Sequence, residues 1–261
     1  MNIVVCLKQV PGTTEVKIDP QTNTLIRQGI KNIINPFDTY ALEEGVRLKE
    51  KHGGKVTIIS MGPPQAEAAL REAVSLGADE VVLLTDRAFA VADTWATANT
   101  LAKAILKLGK YHLIICGRQT IDGDTGQVGP EMSEMLKIPF IAYVSKIEEI
   151  KDNYLRVSRM VEDGHEVIET TLPAVITVAK EINVPRLPSL RGIMKSKSVA
   201  ITTWGIKELD VNANDVGLAG SSTQVIKIFF PQRVPNAEIF TGDASAQVDK
   251  LLEKLREAKL L

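Results

Sequence analysis

The chain has 261 residues, a formal net charge of −1 and acids and bases mixed along its length, so a sizeable core is possible and no electrostatic case arises for a nucleic-acid or membrane partner. No apolar run reaches the length of about 18 residues needed for a membrane span. The opening residues Met1 to Lys8 lack the basic start and small-residue cleavage site of a leader, so they are expected to form a buried first strand of a cytoplasmic protein. Two cysteines, Cys6 and Cys116, stand far apart with no CxxC, which argues against an iron–sulfur or zinc site built by this chain alone.

Short apolar runs at 2–8, 55–61, 79–84 and 111–117 predict strands covered on both faces, as in a parallel sheet. A hairpin is expected between them, from Val16–Asp19 to Thr24–Arg27 around Pro20-Gln21. Helices are predicted at 36–51, 64–76, 94–108 and 126–137, the first with Asn35 as cap and Pro36 at its first position. In the third, Ala98, Leu101, Ala102, Ile105 and Leu108 share one face. This βαβ alternation predicts a doubly wound α/β domain. After 140 the pattern becomes antiparallel: strands 141–150, 154–161 and 165–171 are separated by Asp152-Asn153 and Asp163-Gly164 turns. Ala174 to Val178 returns to a buried-strand pattern. From about 180 the chain is expected to be irregular, and 244–259 reads as an amphipathic helix that packs on another chain or on its own domain.

In open α/β sheets, ligands bind beyond the carboxyl ends of the strands, so the loops there carry the candidate chemistry. The first, Cys6 to Pro11, contains neither GxGxxG nor a Walker A lysine. In the second, Met61-Gly62-Pro63-Pro64, Gly62 allows close approach by a ligand or serves a plain turn. The loop from Gly117 through Arg118, Gln119, Thr120, Ile121, Asp122, Gly123, Asp124, Thr125, Gly126, Gln127 and Val128 to Gly129 is richer. It holds four glycines, two hydroxyls and a basic residue ahead of a helix N-terminus, a combination suited to a nucleotide phosphate. Asp122 and Asp124 fit such a site if they cap backbone or bind ribose hydroxyls. Asp86-Arg87 leads into the apolar stretch Ala88-Phe89-Ala90-Val91-Ala92, which has no evident cover, before Asp93-Thr94 opens a helix. His52, His112 and His165 adjoin no nucleophile and show no metal spacing, so the expected chemistry is that of a bound cofactor.

These segments together resemble the beta subunit of the electron transfer flavoprotein family along nearly the whole chain. The likeness is carried by Val5 to Val10, by Asn35-Pro36-Phe37-Asp38, by Gly117 to Gly129, and by Val157 to Ile168 followed by Pro173 to Thr177. It is carried also by Leu187-Pro188-Ser189-Leu190-Arg191-Gly192-Ile193-Met194-Lys195, similar to the family's exposed recognition loop. The resemblance implies an adenine-nucleotide-binding core over 1–180, a docking loop over 181–200 and, over 201–261, an arm and helix packing on an alpha subunit that carries FAD. It places Cys6, Asn35, Asp38, Met61, Gly62 and the 117–128 loop around a nucleotide. Leu187, Pro188, Leu190, Ile193 and Met194 are placed against a flavin-dependent dehydrogenase of acyl-CoA or 2-hydroxy-acid type.

In ordinary members that nucleotide is a structural AMP; in electron-bifurcating members it is a second FAD, reduced by NADH, which divides its electrons between the alpha-subunit FAD and a ferredoxin or flavodoxin. The 86–97 stretch resembles the bifurcating group. AMP needs one phosphate loop, whereas FAD needs a second phosphate site and a flat wall for its ring. Asp93, Thr94 and Thr97 are expected at the pyrophosphate, Ala88, Phe89 and Ala90 at the wall, and Arg87 beside the ring as its electrostatic partner. A plain ion pair for Arg87, an AMP-holding subunit, and a stand-alone nucleotide-binding protein are the alternatives. Val91 stands where many members of that group have glycine, and its branched side chain narrows the approach for NADH.

Overall fold

The computed structural model describes residues 1–12, 17–18, 25–26, 31–227 and 237–261. In chain order the strands are β1 (Asn2–Cys6), β2 (Gln9–Pro11), β3 (Lys17–Ile18), β4 (Leu25–Ile26), β5 (Asn32–Ile34), β6 (Lys55–Met61), β7 (Glu80–Leu84), β8 (Leu113–Gly117), β9 (Phe140–Lys151), β10 (Tyr154–Val161), β11 (Gly164–Thr171), β12 (Ala174–Val178) and β13 (Thr202–Trp204). The helices are α1 (Pro36–His52), α2 (Glu67–Ser75), α3 (Thr94–Leu108), α4 (Val128–Leu136), α5 (Leu190–Ser198), α6 (Ile206–Leu209) and α7 (Ala244–Glu257).

One nine-stranded sheet, in the order β11-β10-β9-β12-β8-β1-β6-β7-β13, carries the fold. From β9 to β13 every neighbouring pair is parallel, and the β9–β10–β11 meander is antiparallel. The apolar runs that predicted the parallel strands are buried on both faces, as such strands require. Along β1 the alternation is strict. Ile3 and Val5 join Leu42 and Val46 of α1 and Leu70 and Val74 of α2 on one face of the sheet. Val4 and Cys6 join Leu101 and Ile105 of α3 and Met132 of α4 on the other. Each fully buried aliphatic side chain contributes roughly 1.5–3 kcal/mol, so the two faces outweigh any single polar contact. The fold is thus doubly wound, as the βαβ pattern predicts.

β1 and β8 are neighbours, yet β1 leads to α1 on one face and β8 leads to α4 on the other. That divergence opens a crevice beyond their carboxyl ends, where ligands of such sheets bind. The β3–β4 pairing falls where the hairpin is expected, and its turn at Pro20-Gln21 lies outside the described residues.

Two differences from the sequence pattern concern the second half. Within the stretch expected as an arm, Thr202, Thr203 and Trp204 pair in parallel with Val82, Leu83 and Leu84 and extend the sheet. The first compact unit accordingly runs from Met1 to Ile226, and the second comprises Lys227–Leu261. Within the second, α7 is capped by Asp243, whose carboxylate accepts the Ala246 N–H at 2.9 Å, and Val248 and Leu251 on it are exposed. The segment expected to be irregular contains α5, a nine-residue helix capped by Ser189, which accepts the Gly192 N–H at 3.0 Å. Pro185, Pro188 and Gly192 mask it in the sequence, since each marks loops more often than helices.

Candidate functional site

Two buried polar side chains at the start of α1 organise the crevice. Asn35 is wholly buried, donates its amide to the Gln119 carbonyl at 2.9 Å and accepts the Ile121 N–H at 3.2 Å, so it clasps the 117–127 loop from both sides. Its own N–H is held by the Lys8 carbonyl at 2.8 Å. Asp38 accepts the Lys8 N–H at 2.7 Å. Burial pushes its carboxyl up to about 7, against the opposing pull of hydrogen bonds from Lys8, Asn35 and Gly117. Gly117 has a packing reason to be glycine: a Cβ there would lie 2.4 Å from Asp38 Oδ1 and 2.7 Å from the Phe37 carbonyl carbon. The three segments after β1, before α1 and after β8 are therefore one cross-bonded unit. Cys6 and Cys116, paired in register on β1 and β8, form its floor, and thiol contact followed by burial holds the Cys116 thiol well above its usual range.

Both acids of the 117–127 loop are engaged within the cradle. The Lys8 ammonium pairs with Asp122 at 2.8 Å, and although burial opposes it, this pair holds the Asp122 carboxyl below its usual range. The Gln119 amide donates to Asp124, and the Asp124 N–H is held by the Thr120 carbonyl at 2.9 Å. Asp122 thus has a cationic partner and Asp124 a neutral amide, and Gly123, Thr125, Gly126, Gln127 and Val128 lead into the α4 N-terminus. Arg118 Nε donates to the Gln119 side chain at 2.9 Å, and its guanidinium lies over Phe37 at 5.1 Å and Tyr143 at 5.9 Å, lining a concavity of about 410 Å³ with Arg159 and Met160.

The second group lies beyond β6 and β7. Met61 packs partly buried against the core, and the Gly62 N–H is held by the Leu84 carbonyl at 3.0 Å. Arg87, Ala88 and Phe89 form a single 3-10 turn capped by Asp86, which accepts the Ala88 N–H at 3.0 Å. Arg87 is exposed, and among the described residues no carboxylate pairs with it. Phe89, at 5 % exposure, is turned into the core, so it supports this segment from beneath instead of presenting its ring. Val91 is the reverse: 70 % exposed, with φ at 61°, a left-handed conformation that costs a β-branched residue of order 1–3 kcal/mol. The backbone of the apolar stretch is fastened from one side, while Ala90 and Val91 stay exposed. Residues 213–223 fold over it: Leu218 N–H donates to the Ala90 carbonyl at 3.1 Å, and Ser221 Oγ accepts the Asp93 N–H at 2.8 Å. Gly217 lies so close that a Cβ would sit 1.8 Å from the Ala88 carbonyl oxygen.

Asp93 caps α3, accepting the Ala96 N–H at 3.0 Å, and its other oxygen takes the Thr223 N–H at 2.8 Å. These bonds outweigh burial and hold its carboxyl below the usual range. Thr94 donates its hydroxyl to Glu131 at 3.0 Å and Thr97 follows one turn later, so the N-termini of α3 and α4 stand side by side. Glu131 carries no motif that marks it in the sequence. Its Oε2 is buried without a partner, and burial together with the Asp93 charge raises its carboxyl against the opposing Thr94 hydrogen bond. The structure therefore brings the 117–128 loop and the 93–97 segment together through Thr94.

A family model described as the electron transfer flavoprotein domain matches residues 22–209. The chain is 53 % identical to the electron transfer flavoprotein subunit beta of Thermoanaerobacterium thermosaccharolyticum, with 100 % of both chains covered. The chain belongs to the electron transfer flavoprotein family, as a beta subunit. It is also 46 % identical to the caffeyl-CoA reductase-Etf complex subunit CarD of Acetobacterium woodii, again over 100 % of both chains. To the protein FixA of Azorhizobium caulinodans it is 40 % identical, over 100 % of this chain and 96 % of the other. In this electron transfer flavoprotein beta subunit the residues expected to dock a dehydrogenase lie on and just before α5. Leu187, Leu190 and Met194 are 87, 83 and 73 % exposed, with Pro188 and Ile193 exposed beside them. α5 itself is fixed to α2: Arg71 donates to the Ser196 carbonyl at 2.7 Å, and Gly192 packs on the Ser75 carbonyl, where a Cβ would sit 2.2 Å away. No helix among the described residues is long and apolar enough to cross a membrane.

Proposed function

We propose that this beta subunit pairs with an alpha subunit and holds FAD, not AMP, in the crevice beyond β1, β7 and β8, as the NADH-facing flavin of an electron-bifurcating complex. The observation that carries the reading is the Thr94–Glu131 contact, which sets two helix N-termini side by side. AMP needs one such end; a pyrophosphate is served by two. The residues fit the group: Asp122 and Asp124 are neutralised or engaged locally, and the unpartnered Glu131 Oε2 offers a hydrogen-bonding atom at the junction. The N–H groups of the first turn of α3, with Thr94 and Thr97, would hold one phosphate, and the 123–128 segment the other. Arg87, Ala88 and Ala90 would flank the ring, Arg87 adding a cation where reduced flavin gathers negative charge. When bound, the flavin supplies hydride acceptance from NADH and one-electron donation along two routes, to the alpha-subunit FAD and to a ferredoxin or flavodoxin. Leu187, Pro188, Leu190, Ile193 and Met194 would dock a flavin-dependent dehydrogenase of acyl-CoA or 2-hydroxy-acid type.

A structural AMP is the second reading, favoured by Val91, whose exposed side chain stands on the approach to the ring, and by the inward turn of Phe89. The heterodimer decides between them: two flavins per heterodimer are expected, and one flavin with one AMP would exclude the first reading. Arg87→Ala is expected to leave folding unchanged and to shift the potential of the flavin in this subunit. Unchanged potential and unchanged reduction by NADH would remove Arg87 from the site.

A further inference from the structure

Residues 183–189, the extended segment that delivers Leu187 and Leu190 to the surface, belong to neither a helix nor a strand, yet they are fixed at many points to one face of α1. Asn183 donates to the Tyr40 carbonyl and to Glu44, both at 3.0 Å, and Arg47 donates to the Val184 carbonyl at 3.2 Å. Arg186 makes the densest set. Its Nε meets Glu43 at 2.8 Å, its two terminal nitrogens meet Glu50 at 2.6 and 2.9 Å, and its own N–H reaches Glu43 at 3.1 Å. Tyr40, Glu43, Glu44, Arg47 and Glu50 recur at three- and four-residue spacing, a single stripe of the helix.

This network is costly to build. The Glu43 side chain is only 4 % exposed, and a buried carboxylate is tolerable only while its partners stay in place. Arg47 and Arg186 together outweigh that burial and hold the Glu43 carboxyl below its usual range. A guanidinium is suited to the task because its rigid planar fork sets direction as well as charge. The residue that follows it is Leu187, nine-tenths exposed, then Pro188 and the Ser189 cap of α5. An apolar side chain held out in water by a fixed backbone is pre-organised for a partner, which lowers the ordering cost of binding.

We propose that Arg186 is a positioning residue for partner docking: its fork to Glu43 and Glu50 sets the direction in which Leu187 and Leu190 leave the fold. This rests on the docking role given above to residues 187–194. The test uses the full heterodimer as electron acceptor. The donor is an acyl-CoA dehydrogenase reduced by its acyl-CoA or a 2-hydroxy-acid dehydrogenase reduced by its hydroxy acid, whichever reduces the unaltered protein faster. Arg186→Ala is expected to raise KM for the heterodimer about tenfold with kcat within about twofold and nucleotide content unchanged. Amide exchange at 187–193 should quicken in the heterodimer alone. Arg186→Lys, which keeps the charge without the fork, should fall between. Glu50→Gln, on the exposed side of the network, gives a milder rise of about threefold should the alanine variant fail to fold. An unchanged KM, or unchanged exchange at 187–193, in a folded Arg186→Ala or Glu50→Gln heterodimer overturns the proposal. Leu190→Ala tests the underlying reading separately: an unchanged KM in that variant removes the docking role itself, whatever Arg186 does.

Discussion

The loops that follow β7 and β8 face the same crevice but are secured in opposite ways. The β8 loop is held from below by buried polar side chains at the start of α1, with Asn35 bonded to Gln119 and Ile121 and Asp38 packed on Gly117. Within it Asp122 is paired with Lys8. The β7 loop is held from above by residues 213–223, and it leaves Arg87 and Val91 to solvent, the latter in a strained conformation. Rigid, internally satisfied backbone suits the holding of a phosphate, a task common to AMP and FAD. Exposed charge and stored strain suit a place where chemistry is adjusted. On the proposed reading the β8 loop would hold the phosphate common to AMP and FAD, while the β7 loop would add the second phosphate site and the contacts beside the ring, so variants in the two should fail differently.

The sharpest break is expected at Gly117. An alanine Cβ would meet Asp38 and the Phe37 backbone, and neither can retreat without moving α1 from the sheet. Gly117→Ala should cost about 3 kcal/mol in unfolding free energy and lose the nucleotide in parallel. Denaturant melts of the heterodimer, read with nucleotide content, check both. Near-native stability would mean that the α1 start is more pliable than its buried polar bonds imply.

Asp38 sharpens the same side through pH. Its carboxyl titrates at about 7 in the fold, against 3.8 as its ordinary value, so between those limits the native state keeps a proton that the unfolded chain has lost. Folding takes up that proton, and the contribution of Asp38 is full below about pH 4 and fades as pH rises through 7. Relative to Asp38→Asn, which carries no such proton, the unaltered protein should lose about 2 kcal/mol of stability between pH 5 and 8 and change little above. Melts of both across that range give the difference directly. A constant gap would show that the carboxyl is ionised throughout and that its hydrogen bonds, not burial, dominate.

The two loops also differ in how far the sequence reveals them. Asn35-Pro36 as a helix start and the glycines of 117–129 carry local signals, because proline at the first turn and close approach are decided within a few residues, but the Asn35 side chain makes no cap bond and reaches Gln119 and Ile121 instead. Asp93 as the cap of α3 is legible for the same reason. The cover over 88–92 is not, since Ser221 lies 128 positions from Asp93 and its neighbours form no periodic pattern. Only Gly217, next to buried Val216, hints that this segment approaches other backbone closely. β13 escapes because three residues, Thr202 to Trp204, are too few to show alternation. The network of Arg186 with Glu43 and Glu50 is equally hidden, as ion pairs across 143 and 136 positions leave no local trace.

Val91 gives the smallest effect and the most direct test of the division of labour. At φ 61° its branched side chain is strained, and at 70 % exposure it gains little packing in return. Glycine enters that conformation freely but loses more backbone entropy on folding, so the two terms partly cancel. Val91→Gly should therefore stabilise the protein by no more than about 1 kcal/mol. Its functional effect should fall on one side only. Nucleotide content, for which the proposed site uses no group of the Val91 side chain, is expected to be unchanged, while reduction of the bound flavin by NADH should accelerate as the branched side chain leaves the approach. Stopped-flow reduction of the heterodimer at matched flavin content separates the two. If content falls along with rate, the Val91 side chain itself takes part in holding the nucleotide and its role at the approach alone fails.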